Sequence, residues 1–246
     1  MLWWHDGLCR QLASAGRFVI RYDNRDTGCS ATYPPGQPGY TLDDMAGDAV
    51  TVLDEHLVDR AHIVGMSLGG IIGQMLARRN PGRVASLTLI ASTPFGAEAE
   101  DLPQIDPKIL EYHQRASALD WADREAVTDY MANGWTLLSG SAHVCDMALT
   151  RSIAAREVAR AGNPLSMFNH ALLKGGGEWW GQLAFIKTPT LILHGTEDPV
   201  LPFAHAEALA KAIPGSRLIP FPGTGHELHP ADWDRMCEAI IEHTAP

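Results

Sequence analysis

No stretch of this chain approaches the roughly 18 consecutive apolar residues that a bilayer-spanning helix needs. The opening Met1-Leu2-Trp3-Trp4-His5-Asp6 lacks the basic segment followed by an apolar run that marks a secretory leader. Cysteine is scarce. Cys9, Cys29, Cys145 and Cys237 are scattered with no Cys-x-x-Cys spacing, so neither a structural metal site nor a disulfide framework is expected. Positive charge is also in short supply: 19 Lys and Arg against 29 Asp and Glu give a net charge of −10. That balance disfavours nucleic acid and anionic membrane surfaces as partners. There is no P-loop, no Gly-x-Gly-x-x-Gly dinucleotide turn and no metal-ligand cluster, so no cofactor is expected. The expectation is a cytoplasmic protein acting on a small molecule. Its oligomeric state is not encoded in any readable pattern.

What the chain does have is 246 residues, 46% of them hydrophobic, enough for one large domain or a core with an insertion. Short β-branched or leucine-rich runs alternate with amphipathic stretches, the pattern of a parallel sheet flanked by helices. The runs predict strands over Arg17–Tyr22, Ala61–Val64, Val84–Ala91, Pro189–His194 and Ser216–Phe221, with Pro220 marking an edge strand. Helices are predicted over Leu8–Ala15, from Thr41 as N-cap to about Leu57, and over Leu68–Arg79, Phe203–Ile213 and Asp232–His243. The stretch from Phe95 to Leu183 has no convincing strand and reads as several helices, broken at Gly175-Gly176-Gly177. The organisation expected is an α/β core from residues 1–95 and 185–246, with residues 96–184 inserted as a helical cap.

The sharpest local signal is Gly65-Met66-Ser67-Leu68-Gly69, a Gly-x-Ser-x-Gly turn between a predicted strand and a predicted helix. Such a turn holds the serine in strained backbone angles and needs small residues at either side, here Gly65 and Gly69. It also aims the backbone N–H of Leu68 at the place where an oxyanion would form. A serine hydroxyl needs a base to become nucleophilic, and the base needs an acid to orient it. Asp198 lies in Gly195-Thr196-Glu197-Asp198-Pro199, just past a strand, with Glu197 as competitor. His226 lies in Gly223-Thr224-Gly225-His226 after the last strand, with His229 as rival. The order Ser, Asp, His then fits a nucleophile, an acid and a base gathered at the carboxyl ends of strands.

Gly-Met-Ser-Leu-Gly-Gly, Leu-His-Gly-Thr-Glu-Asp-Pro-Val and Gly-Thr-Gly-His, in that order, resemble the α/β-hydrolase superfamily. The run Ile20-Arg21-Tyr22-Asp23-Asn24-Arg25-Asp26-Thr27-Gly28-Cys29-Ser30 narrows the resemblance to bacterial esterases of the aclacinomycin methylesterase group. The resemblance implies Ser67, Asp198 and His226 as nucleophile, acid and base, and residues of about 96–184 as the lid over an acyl pocket. It makes the Arg25–Gly28 turn a scaffold near the site. It also implies early strands and a glycine-containing oxyanion loop, roughly 30 residues by ordinary strand and turn lengths, ahead of Trp3-Trp4-His5. These, with a second oxyanion N–H, are expected to be missing here, and a start site placed too far downstream is the expected reason.

The function expected is hydrolysis of a carboxylic ester, such as a methyl ester or another small apolar ester, through an acyl-enzyme on Ser67. The same triad could serve a lactonase, C–C hydrolase, perhydrolase or acyltransferase. A binding protein with weak or no activity is the non-catalytic alternative. Trp135, Trp179, Trp180, Met131, Met147 and Met167 could line an apolar pocket or serve helix packing.

Overall fold

The computed structural model describes residues 1–245, without the side chain of Ala97. Four parallel strands, β1 (Ala61–Met66), β2 (Val84–Ile90), β3 (Thr190–Gly195) and β4 (Arg217–Phe221), lie side by side in chain order. Their registers run Met66 opposite Ile90, Ile90 opposite Leu193, and Gly195 opposite Phe221, so the carboxyl ends of all four strands come level. Four of the five strands expected from sequence are present, within one or two residues. β4 is an edge strand, which leaves Pro220 without a ladder bond to donate.

Helices cover both faces, and β2 and β3 are buried on both sides, as the inner strands of a parallel sheet must be. α1 (Asp6–Ser14) and α8 (Trp233–His243) bury Leu8, Leu12, Met236 and Ile240 against Leu191 and Leu193 of β3. The alternate residue Ile192 points to the other face, where Leu209 of α7 (Ala204–Ala212) and Leu87 and Leu89 of β2 meet it. Each such buried Leu or Ile contributes roughly 1.5–3 kcal/mol over leaving it in water. α3 (Leu68–Arg79) follows β1 directly. α2 (Leu42–Glu55) packs beside it through Met45, Ala46, Ile72 and Met75. α2 begins with a reciprocal cap: the Thr41 hydroxyl accepts from Asp44 N–H, while the Asp44 carboxylate accepts from Thr41 N–H at 2.8 Å.

Between β2 and β3 the chain forms α4 (Pro107–Gln114), α5 (Arg124–Thr136), α6 (Met147–Arg160) and a 3₁₀ stretch over Pro164–Leu172. No strand interrupts them among the described residues. The break at Gly175-Gly176 uses φ values of 108° and 72°, which glycine alone adopts freely.

One strand expectation fails. Residues 17–22 have the composition of a strand but join no ladder. A strand exists only through a hydrogen-bonded neighbour. Here residues 17–24 face β1 across a cavity of about 810 Å³ and do not pair with it. The outer edge of β1 has no strand partner among the described residues.

Candidate active site

Ser67 stands between β1 and α3 with φ 52° and ψ −120°, angles that a non-glycine residue adopts only when its surroundings force it. Three contacts hold the turn. Ser67 N–H donates to the Ile90 carbonyl at 2.9 Å, its own carbonyl accepts from Gly70 N–H at 2.8 Å, and the Ser92 hydroxyl donates to the same carbonyl at 2.9 Å. The expected need for glycine is met at Gly65, where a Cβ would fall 2.2 Å from the Gly69 carbonyl oxygen. At Gly69 it is not: a Cβ there would meet nothing within 4 Å, so the crowding comes from the Gly69 backbone. Leu68 is the first residue of α3, where backbone N–H groups have no intrahelical partner.

Asp198 follows β3 and is 3% exposed. Its Oδ1 accepts from the N–H groups of Val200 and Leu201, both at 2.8 Å. Its Oδ2 accepts from His226 Nδ1 at 2.7 Å. Behind that contact lies a second imidazole that the sequence reading passed over: His194 Nε2 is 3.4 Å from the same Oδ2 and 2.7 Å from the Leu201 carbonyl. Both neighbours of His194 Nε2 are acceptors, so the tautomer that satisfies them carries its hydrogen there. Its Nδ1 is buried with no partner. Burial works to raise the Asp198 carboxyl. The hydrogen bonds from His194, His226 and Leu201 outweigh it and hold the group well below the usual carboxylate range.

His226 is fixed from its backbone. Its N–H donates to the Leu138 carbonyl at 2.7 Å, and a Cβ on Gly225 would sit 2.0 Å from that oxygen. The glycine before the histidine therefore admits the segment after α5. Ala142 N–H donates to Gly223, and Gly140 N–H donates to Glu227, so residues 138–142 clasp the whole loop. Nothing in the local sequence of Leu138-Ser139-Gly140 announces this pairing, 87 residues apart. The rivals are occupied elsewhere. Glu197 accepts from the Ser141 N–H and hydroxyl, both at 2.8 Å. His229 stacks on His143 with ring centroids 4.1 Å apart.

Ser67 and His226 line the same cavity, with no hydrogen bond between their side chains in this arrangement. Catalytic hydrogen bonds commonly tighten only when substrate binds. The cavity wall includes Trp3, Trp4, Met131, Val158 and Met167. Trp135, Trp179, Trp180 and Met147 are not part of it; Trp135 packs on Trp3 and Trp180 on Phe95.

The Arg25–Gly28 turn ties three parts of the molecule together. Asp26, 2% exposed with φ 64°, accepts from Tyr33 N–H at 2.6 Å, Tyr40 Oη at 2.7 Å and Asn169 Nδ2 at 2.9 Å. Arg25 forks onto Asp48 of α2 at 2.7 and 2.8 Å.

This fold, with a strained serine turn after one strand and an Asp–His pair after two others, defines the class. The family described as alpha/beta hydrolase fold matches residues 1–231, and the chain belongs to it. It is an enzyme of that family, a carboxylic ester hydrolase. It is 34% identical over 259 aligned positions to the rhodomycin D methylesterase DauP of Streptomyces sp. (strain C5), covering 98% of this chain and 86% of that protein. It is 29% identical to the pimeloyl-[acyl-carrier protein] methyl ester esterase of Aromatoleum aromaticum over 85% of this chain and 84% of that one. A solved hydrolase from Pseudomonas aeruginosa superposes with a TM-score of 0.68 at 28% identity, over 93% of this chain and 80% of that one.

Proposed function

We propose that Ser67, His226 and Asp198 act as nucleophile, general base and orienting acid in hydrolysis of a methyl ester or similar small ester on an apolar acid. The observation that carries this reading is the 2.7 Å contact between His226 Nδ1 and buried Asp198, beside a serine in the strained turn. Nδ1 donates to the carboxylate, so Nε2 is the unprotonated nitrogen and takes the Ser67 proton as Oγ attacks the ester carbonyl. The Leu68 N–H receives the developing oxyanion charge. The tetrahedral adduct collapses, the alcohol leaves with the proton held by His226, and the acyl group stays on Ser67. A water then gives its proton to His226 and attacks the acyl-enzyme; the imidazolium returns that proton to Ser67 Oγ as the acid is released. The helical block of residues 96–184 is the lid, and Met131, Val158 and Met167 are among the residues it contributes to the cavity wall. The relatives that are methyl ester esterases support the leaving group.

The test combines fluorophosphonate labelling with hydrolysis of p-nitrophenyl and methyl esters. The wild-type protein is expected to label once, at Ser67, and Ser67→Ala to lose both label and turnover while keeping its melting temperature. Labelling that persists in Ser67→Ala would exclude Ser67 as the nucleophile.

A further inference from the structure

One short piece of the helical block grips both loops of the Asp–His pair, and it grips each through a carboxylate beside the functional residue. Glu197, one residue before Asp198, accepts from the Ser141 N–H and hydroxyl, both at 2.8 Å. Glu227, one residue after His226, accepts from the Gly140 N–H at 3.1 Å and the Gly225 N–H at 3.3 Å. A single oxygen, Oε1, serves both of these bonds. Residues 138–142 therefore reach from the acid loop to the base loop.

Along this seam main chain meets main chain. The Leu138 carbonyl accepts from His226 N–H at 2.7 Å, and Ala142 N–H donates to the Gly223 carbonyl at 2.9 Å, so the two segments run antiparallel. No side chain separates them. A Cβ on Gly140 would fall 2.1 Å from the Gly223 carbonyl oxygen, and one on Gly225 would fall 2.0 Å from the Leu138 carbonyl oxygen. The two loops also bond to each other directly, from Glu197 N–H to the Thr224 carbonyl at 3.0 Å and from Gly223 N–H to Thr196 Oγ1 at 2.9 Å. Those bonds hold the base loop ahead of His226. At His226 itself the backbone contact is the Leu138 carbonyl, and the place of that carbonyl depends on Gly140, two residues on, and so on Glu227.

Glu227 is not part of the cavity wall. Any influence it has on the chemistry runs through its neighbour. A bond to an ionised acceptor is roughly twice as strong as one between neutral groups, and a catalytic group displaced by about 1 Å can lose on the order of 10² in rate.

Resting on the reading of His226 and Asp198 as base and acid, we propose that Glu227 is a positioning residue for that pair. Its carboxylate fixes the segment after α5 against the base loop, and that segment sets the His226 imidazole on Asp198. Glu197 anchors the other end of the same segment. It is exposed, so its hold is the weaker of the two.

The experiment follows the His226 Nδ1 hydrogen by proton NMR alongside hydrolysis of p-nitrophenyl acetate. A hydrogen held between imidazole and carboxylate resonates far downfield of a free imidazole N–H, and its absence in His226→Gln assigns it. In Glu227→Ala the resonance is expected to move upfield or vanish, and kcat to fall by roughly 10- to 100-fold with KM little changed. Glu227→Gln, whose amide oxygen still accepts both N–H bonds, is expected to recover most of both, which separates the bond from the bare charge. A merely structural role would lower the melting temperature and leave the resonance in place. That outcome, or an unchanged kcat, overturns the proposal. If Glu227→Ala does not fold, Glu197→Ala gives the same reading with a smaller loss, and an unchanged resonance there overturns it. If wild type hydrolyses no ester, the hydrolase reading fails, while loss of the resonance in Glu227→Ala still upholds the positioning role.

Discussion

His194 and His226 approach one carboxylate oxygen of Asp198 from two sides, at 3.4 and 2.7 Å. Only the second imidazole lines the cavity; the first is fully enclosed at the end of β3. The carboxylate that orients the base is thus itself oriented, by a histidine anchored on the Leu201 carbonyl.

His194 is expected to matter through Asp198 alone. In His194→Leu, kcat for ester hydrolysis should fall by roughly tenfold with KM unchanged, the scale of losing one charge-assisted hydrogen bond. His194→Asn, which retains a donor, should recover part of the rate. An unchanged kcat in His194→Leu would reduce His194 to packing.

Asp26 holds the turn to Tyr33, Tyr40 and Asn169. Replacing it with alanine leaves three donors without their acceptor inside the protein. The expected loss is about 3 kcal/mol, or roughly 6–12 °C in melting temperature for a chain of this size. Calorimetry checks this, and the protein still folded at low temperature should keep its fluorophosphonate labelling.

Glu157 makes the stability of the fold depend on pH in an unusual direction. Its folded-state pKa of about 7 lies above the ordinary 4.5. The folded protein therefore holds the proton more tightly than the unfolded chain, and stability falls as pH rises from about 4.5 through 7. Glu157→Gln should match wild type in melting temperature near pH 4 and exceed it by several degrees at pH 8. A gap that stays constant across that range would show the carboxyl titrating as an ordinary surface acid.

The Ser, Asp and His positions were legible in the sequence because each sits in a short glycine-bearing loop just after a strand, and that context is local. The helices were legible for the same reason, through caps such as Thr41 and periodic apolar residues such as Met45 and Leu53. Residues 17–22 show the limit. Their composition fits a pleated strand, but a ladder is a relation between two segments, and β1 lies across a cavity from them. Glu157 was invisible for a related reason. In an arginine-rich helix it reads as one more solvated acid, and only its surroundings in the folded chain enclose it. His194 lay within a run read simply as strand, since nothing in Leu191-Ile192-Leu193-His194 reveals that the carboxylate four residues on folds back over it.

The grip of Leu138 and Gly140 on the loop bearing His226 sets a rule for how the molecule can breathe. If the helices over the cavity lift to let an ester in, the end of α5 cannot lift with them without dragging the imidazole off Asp198. That end would act as a fixed pivot in any such movement. Admission of substrate and readiness of the proton acceptor are thereby kept mechanically independent.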